Sequence, residues 1–319
     1  MHLLVPFVSD LSEACQHVLH DLALPNLDRL LGLLSQESRD EGDAYSFSPP
    51  HERALAQSWG WQGGDGTLPF AARAAVADSI AVGDLAWALL TPAHWQLGRD
   101  HVTLLDPEEL QLDAAESRAL FESLRGLLEG DGFTAAWGGA GRWYAGRADL
   151  DGLATASLDR VIGRSVDLWL RESAGSRRAA PRAIHGTVRR LQSEAQLLFH
   201  THGVNEAREG RGALAVNSFW LSGCGCHQAA NSAATPAIVS TLRTPLLGAD
   251  WAAWAEAWRE LDAGAVARLL ATARSGESVT ITLCGERAAA RLEARPRSLL
   301  QRVRRTWQRT EARTMLATL

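Results

Sequence analysis

The chain has 319 residues, 46% hydrophobic and 22% charged, with a formal net charge of −5. That length suits about two domains, and a chain of this size buries a core without disulfide help. The charge balance gives no global pull toward nucleic acid, and no apolar run approaches the roughly 18 residues of a membrane span. Leu3–Val8 is broken by Pro6 and followed at once by Asp10, so no signal peptide is legible. The expected setting is cytoplasmic and reducing, with Cys15, Cys224, Cys226 and Cys284 as thiols. All 32 basic residues are arginine, which GC-rich coding explains better than 32 bidentate contacts.

In chain order, His2–Val8 reads as a buried strand with Asp10 just past its end. Pro25–Leu34 reads as a helix capped by Asn26, with Leu27, Leu30, Leu31 and Leu34 facing the core. Gln36–Pro50 carries no period and reads as a loop, and Pro50–Trp59 as a short helix. Asp84–Leu90 is a strand ending at Thr91-Pro92, and Val102–Leu105 another. Asp113–Glu129 is a helix with apolar Leu120, Leu124 and Leu127, and Phe133–Trp137 with Arg142–Tyr144 forms a hairpin around Gly138–Gly141. This order predicts helices on one face of an antiparallel sheet. Arg171–Pro181 reads as a flexible loop, and an amphipathic helix follows, with Val188, Leu191, Ala195, Leu198 and Phe199 at helical spacing. Charged, glycine-rich Gly203–Gly212 reads as a loop, Asn217–Leu221 as a buried strand, and Ser222–Gly225 as its tight exit. Beyond the loop Gln228–Pro236 come a strand at Ile238–Leu242 and a tryptophan-rich segment Asp250–Glu260, with Trp251, Trp254 and Trp258 placed for packing. A helix Gly264–Ala273, a strand Val279–Leu283 and a basic helix Ser298–Thr314 complete the chain.

The junction from His202 to Gly225 resembles that of archaeal-type cofactor-independent phosphoglycerate mutases. There a helix ends in H-P-V-N-x-x-R, passes a glycine turn and enters a core strand reading A-N-x-x-x-L-x-G-x-G. The matching residues are His202, Val204, Asn205, Arg208, Gly212, Val216, Asn217, Leu221, Gly223 and Gly225, with Gly203 where the pattern has proline. PNLDRLLGLL at Pro25–Leu34 resembles a helix start common in the alkaline phosphatase superfamily. With HWQ at 94–96, the overall pattern resembles a proteobacterial branch described both as phosphoglycerate mutases and as regulatory proteins (RpfE) of pathogenicity-factor expression. The resemblance implies an α/β fold, an alkaline-phosphatase-like sheet core with an α+β insertion domain. The expected layout is a first core part at 1–80, the insertion at 81–205 and a second core part at 206–319.

In that family two divalent metals, manganese or zinc, sit at the carboxyl ends of core strands. They are held by an Asp after the first strand, a Ser nucleophile, an Asp-x-x-x-His pair, a later Asp-His pair and a further His. Two such metals need a dense set of carboxylates and imidazoles. Here Asp10 matches the first position, and Ser46 and Ser48 are the nearest nucleophile candidates. Asp262 stands where Asp-x-x-x-His belongs, without a histidine, and Cys284-Gly285-Glu286-Arg287 stands where Asp-His belongs; no histidine follows His227. The expectation is a phosphoglycerate-mutase-like protein that has lost its two-metal site and needs no cofactor, with Asp10 as a remnant. Its role would be regulatory, or the binding of a small phosphorylated or carboxylated ligand or a protein partner. An active mutase or phosphatase with an altered manganese or zinc site is the alternative.

Ligand-binding candidates are His94, Gln96, Asp100 and His101 in the turn Thr91–His101, with His202, Asn205 and Arg208. In the resembled family substrate lies between core and insertion, which places such a pocket at the domain junction. Cys224, Cys226 and His227 offer soft ligands for zinc or copper(I), to be completed by Cys15 or Cys284 if the strands carrying them share one sheet. The alternative is small residues in a strand exit. The arginine-rich tail Arg287–Arg313 reads as a solvated helix face, or as a surface for phosphates or an acidic protein.

Overall fold

The computed structural model describes residues 1–175, 182–230, 235–294 and 311–319. Parts of three expected segments, the loops Arg171–Pro181 and Gln228–Pro236 and the helix Ser298–Thr314, lie outside the described residues. The chain is an α/β protein of two compact units, one comprising Met1–Gly60 with Ala230–Leu319, the other Trp61–Ala229. The sequence reading set the joins near 80 and 205; the units join at 60/61 and 229/230. No helix among the described residues is long and apolar enough to cross a membrane.

The first unit holds a mixed five-stranded sheet. β1 (His2–Pro6) runs parallel to β10 (Thr280–Cys284) with Leu3 opposite Ile281 and Val5 opposite Leu283. On its other side β1 meets the two-residue strand β9 (Ala237–Ile238), shorter than the expected Ile238–Leu242. β11 (Ala288–Glu293) pairs antiparallel with β10, and β2 (Ser35–Glu41) forms the outer edge beside β11. β2 was read as loop because SQESRDE has no apolar alternation. An edge strand in water needs none, and charge there discourages further pairing.

Leu3, Val5, Ile281, Leu283, Ala290 and Leu292 alternate onto one face of the sheet. They pack with α1 (Glu13–Asp21), α2 (Pro25–Leu33), α11 (Trp251–Leu261) and α12 (Ala267–Arg274). α3 (Pro50–Trp59) also packs on the sheet's strands. Trp254 and Trp258 are fully buried and do more than fill space. Their indole N–H groups donate to the carbonyls of Phe7 (3.1 Å) and Val8 (3.2 Å), in the turn that leaves β1. Phe7 has φ 59°, so this turn is strained and held by its partners.

The His2 ring contacts Thr282 Oγ1 at 2.9 Å. Burial, then Arg291, pushes its pKa down to about 4, with Glu293 opposing and the Met1 amino group adding to the shift. The unfolded chain therefore takes up this proton first, and stability is present above about pH 6.5 and lost as pH falls through about 4. Screening at a half-exposed position keeps the effect near ~1 kcal/mol. Urea titrations from pH 7 to 4 are expected to show that loss, and His2→Gln to flatten it; an unchanged slope in the variant would remove His2 as the cause.

The second unit is built on an antiparallel four-stranded sheet. Its order is β6 (Thr134–Gly139), β7 (Arg142–Gly146), β3 (Ala86–Ala93), β8 (Ser218–Cys226). Ala86, Ala88, Leu90, Trp143, Phe219 and Leu221 face α5 (Ala114–Gly130) and α8 (Arg182–His200). Trp87 and Tyr144 pack instead with Ala71, Ala72 and Ala75 of α4 (Phe70–Ala77), so helices cover both faces rather than one. Burial and the Asp78 carboxylate, 2.7 Å from the hydroxyl, push the Tyr144 pKa up.

β3 outlasts its expected end at Thr91-Pro92. Its pairing with β7 stops at Leu90, so Pro92 continues with β8 alone and its missing N–H costs no ladder bond. β4 (Trp95–Leu97) and β5 (Val102–Leu104) form a small hairpin. The expected loop Gly203–Gly212 is mostly helix, α9 (Gly203–Gly210). β8 runs straight through the expected exit at Ser222–Gly225. Gly223 and Gly225 have φ of +68° and +147°, and a Cβ on Gly223 would lie 2.8 Å from the Ala71 backbone nitrogen. These glycines let β8 pass close beside the start of α4.

Candidate functional site

In the first unit, the carboxyl ends of β1 and β10 are where the family resemblance puts metals. Asp10 is there, but its Oδ1 accepts from Ser12 N (2.8 Å) and Ser12 Oγ (2.5 Å), fixing the entry to α1. Glu286 accepts from the Leu11 amide at 3.1 Å. Leu319, 1% exposed, is seated against the same ends: its carbonyl accepts from the Arg287 and Ala288 amides (2.9 and 2.8 Å). The fit is close enough that a Cβ on Gly285 would lie 2.7 Å from both Leu319 Cβ and Ser9 Oγ. Leu316 and Leu319 join the apolar core of Leu3, Val5 and Val8.

The other candidate metal residues have work of their own. Asp262 is 3% exposed, and its carboxylate accepts from the amides of Asn26 (3.1 Å) and Leu27 (2.8 Å) at the start of α2. The cap of α2 is thus Asp262 from across the core; Asn26 donates its side-chain amide to that residue instead of capping by itself. Ser46 accepts from the Asp43 amide at 2.9 Å, and Ser48 is buried. Cys284 is buried, and desolvation pushes its thiol up, the charge of Arg53 opposing that and Asp40 adding to it. Among the described residues no three His, Cys, Asp or Glu side chains come together as a metal requires. The donor set of a two-metal centre does not fit this end of the sheet.

The ligand-binding candidates all lie in the second unit, and three of them, His94, Asn205 and Arg208, converge on one irregular stretch of backbone between α9 and β8. A segment outside helix and sheet must find partners for its buried peptide groups elsewhere. Arg208 Nε donates to the Leu214 carbonyl (2.7 Å), His94 Nδ1 to that of Ala215 (2.8 Å). Asn205 Nδ2 donates to Val216 O (2.8 Å) and its Oδ1 accepts from Val216 N (2.9 Å), while Nδ2 also reaches Phe199 O at 2.8 Å. His202 begins α9, its Nδ1 accepting from Val204 N at 3.2 Å. Asn217 finishes the clamp with two bonds to the Trp95 backbone (2.7 and 3.0 Å).

Arg208 is fully buried. Beyond Leu214 it bonds Glu116 (2.5 Å) and the Leu110 carbonyl, and Arg211 meets the second oxygen of Glu116 at 2.5 Å. The fold itself therefore uses the polar groups of Asn205 and Arg208, and neither faces solvent. Gln96, Asp100 and His101 stand apart on the exposed β4–β5 hairpin, where Gln96 pairs with Thr103 and the Gly98 amide donates to the His101 carbonyl.

Cys224 is buried with its thiol pushed up to about 12 by desolvation, against a smaller opposing effect of the Thr155 hydroxyl. Cys226 is half-buried, its thiol raised by burial and then by Asp151; His227 is exposed. A protonated, buried thiol is a poor metal ligand. β8 also lies in a different sheet from β1 and β10, so the shared sheet that would bring Cys284 to Cys224 does not form.

A site absent from the sequence reading is a small cavity in the second unit beside α8, about 40 Å³ in volume. Thr155, His185, Val188, Arg189, Gln192 and Trp220 line it. Four of these recur at i, i+3, i+4 and i+7 on one helix face. That spacing and the strand Asn217–Leu221 were legible, but not that this strand and the loop at Leu153–Ala156 lie opposite the helix face.

No family model and no curated protein matches the sequence. Solved structures similar to the chain include the following two. The cofactor-independent phosphoglycerate mutase from Thermoplasma acidophilum DSM 1728 is 12% identical, over 93% of this chain and 89% of that one, with a TM-score of 0.38. The PH0037 protein from Pyrococcus horikoshii is 13% identical, over 92% of this chain and 87% of that one, with a TM-score of 0.42.

Proposed function

We propose that this chain is a phosphoglycerate-mutase-like protein, with an alkaline-phosphatase-like first unit, that no longer builds a two-metal site. It acts as a regulatory or binding protein for a small anionic ligand or a protein partner. The observation that carries this reading is the chemistry at the carboxyl ends of β1 and β10. Where two metals would need several imidazoles and carboxylates, the chain has Leu319 packed on Gly285, with Asp10 and Glu286 bonded to the turn before α1. Asp262 supports it independently, since its carboxylate is committed to α2.

The full chain, assayed for interconversion of 3- and 2-phosphoglycerate with and without manganese or zinc, is expected to give no turnover above background. Metal analysis of the freshly purified protein is expected to find less than one equivalent. Turnover near one per second, within the normal range of enzymes, that disappears in Asp10→Ala would establish the active-enzyme alternative instead.

A further inference from the structure

The cavity beside α8 combines an apolar interior with a cationic rim. Val188 and Trp220 supply hydrocarbon and an aromatic face; the Trp220 indole N–H is already satisfied by the Ala156 carbonyl at 2.9 Å, leaving the ring for packing. Thr155 Oγ1 is buried beside the Cys224 thiol, which it holds down slightly against the effect of desolvation. Gln192 is 5% exposed and makes only a long 3.4 Å bond to the Phe219 carbonyl. At the rim, Arg189 is held by one bond from Nη2 to the Leu170 carbonyl (2.9 Å), one turn of α8 from His185. An apolar floor lined by Val188 and Trp220, with an arginine and an imidazole one helical turn apart beside it, suits a ligand with one polar end.

We propose that this cavity binds a short-chain aliphatic carboxylate, its hydrocarbon against Val188 and Trp220 and its carboxylate met by Arg189 and His185. Size sets the chain length. A partly open volume of about 40 Å³ holds about three atoms of water size, which is a propyl group with the carboxylate outside at the rim. Guanidinium supplies the planar donor pair that a carboxylate takes. Burial, then Arg189, lowers the His185 pKa, which favours the neutral imidazole and a contact through its ring N–H. The site lies within the second unit and stands whether or not the first unit has mutase activity, so the two tests fail separately.

The test uses the full chain and butyrate, followed by ligand-observed NMR, with butylamine and 1-butanol as controls of equal length. Butyrate is expected to saturate one site, to bind about fourfold more tightly than propionate through one further buried methylene, and to outbind both controls at least tenfold. Arg189→Gln, at an exposed rim position, is expected to weaken butyrate at least tenfold while leaving the circular dichroism and urea midpoint unchanged. Val188→Phe, which fills the cavity, is expected to abolish binding. Absence of saturation, equal binding of butylamine, or butyrate affinity unchanged in Arg189→Gln would each overturn the proposal.

Discussion

Asp262→Ala is expected to destabilise the protein by about 3 kcal/mol, measured as a lowered urea midpoint at constant slope. The carboxylate is buried and serves the Asn26 and Leu27 amides and the Asn26 side chain. Pro25 at the first position of α2 already removes one orphan donor. Asp262 accepts from the next two, and its negative charge sits at the positive end of the helix dipole. It reaches them because α11 and α12 are joined by a single wide turn, Asp262–Val266, which begins at this residue. Removing the side chain leaves those donors dry and opens the contact between α2 and α12. Asp262→Asn keeps the shape and one acceptor, and is expected to recover about half of the loss. A change under ~0.5 kcal/mol in Asp262→Ala would show that water replaces the cap.

Arg208→Met is expected to cost about 3–5 kcal/mol, the range for breaking a buried ion pair by removing one partner. The methionine would fill much of the space but leave the Leu110 and Leu214 carbonyls without a donor, and Glu116 with Arg211 alone. Arg208→Lys is expected to lose most of the same amount, because an ammonium cannot serve three acceptors set around a planar fork. Glu116→Gln should cost less, since both carbonyl bonds of Arg208 survive. The double variant should be less destabilised than the sum, which a mutant cycle measures. If Arg208 served a ligand instead, its loss would leave the urea midpoint in place, so an unshifted midpoint in Arg208→Met would refute the structural role assigned here.

Helices with a clear apolar stripe were legible from the sequence. Pro50–Trp59 has the bounds read from its residues, and Asp113 caps α5 through the amides of Ala115 and Glu116. The hairpin across Gly138–Gly141 also announced itself, as two strands on either side of a glycine turn. Local chemistry was enough in each case, since capping, turn geometry and helical spacing all act within a few residues. β2 and α9 were not legible for the same reason in reverse. β2 is an edge strand held by β11 and by Arg53 bonding Asp40 at 2.6 Å. α9 starts from a histidine and a glycine, both weak helix formers, and is secured by burying Asn205 and Arg208.

The roles of the polar residues divided along the same line. The sequence by itself determined the residue types: arginine, histidine and asparagine gathered around 202–217, a lone Asp262, and no histidine beyond His227. Only the tertiary structure decided what they touch. His94 and Arg208 meet neighbouring carbonyls though 114 positions separate them. Asp262 caps a helix 236 residues earlier in the chain. β8 joins the sheet of the second unit through its pairing with β3, against the expectation that its strand belonged with β1. The physical reason is that a hydrogen bond depends on the position of its partner in space. Residue type fixes which bonds a side chain can make, and long-range packing selects the ones it does make.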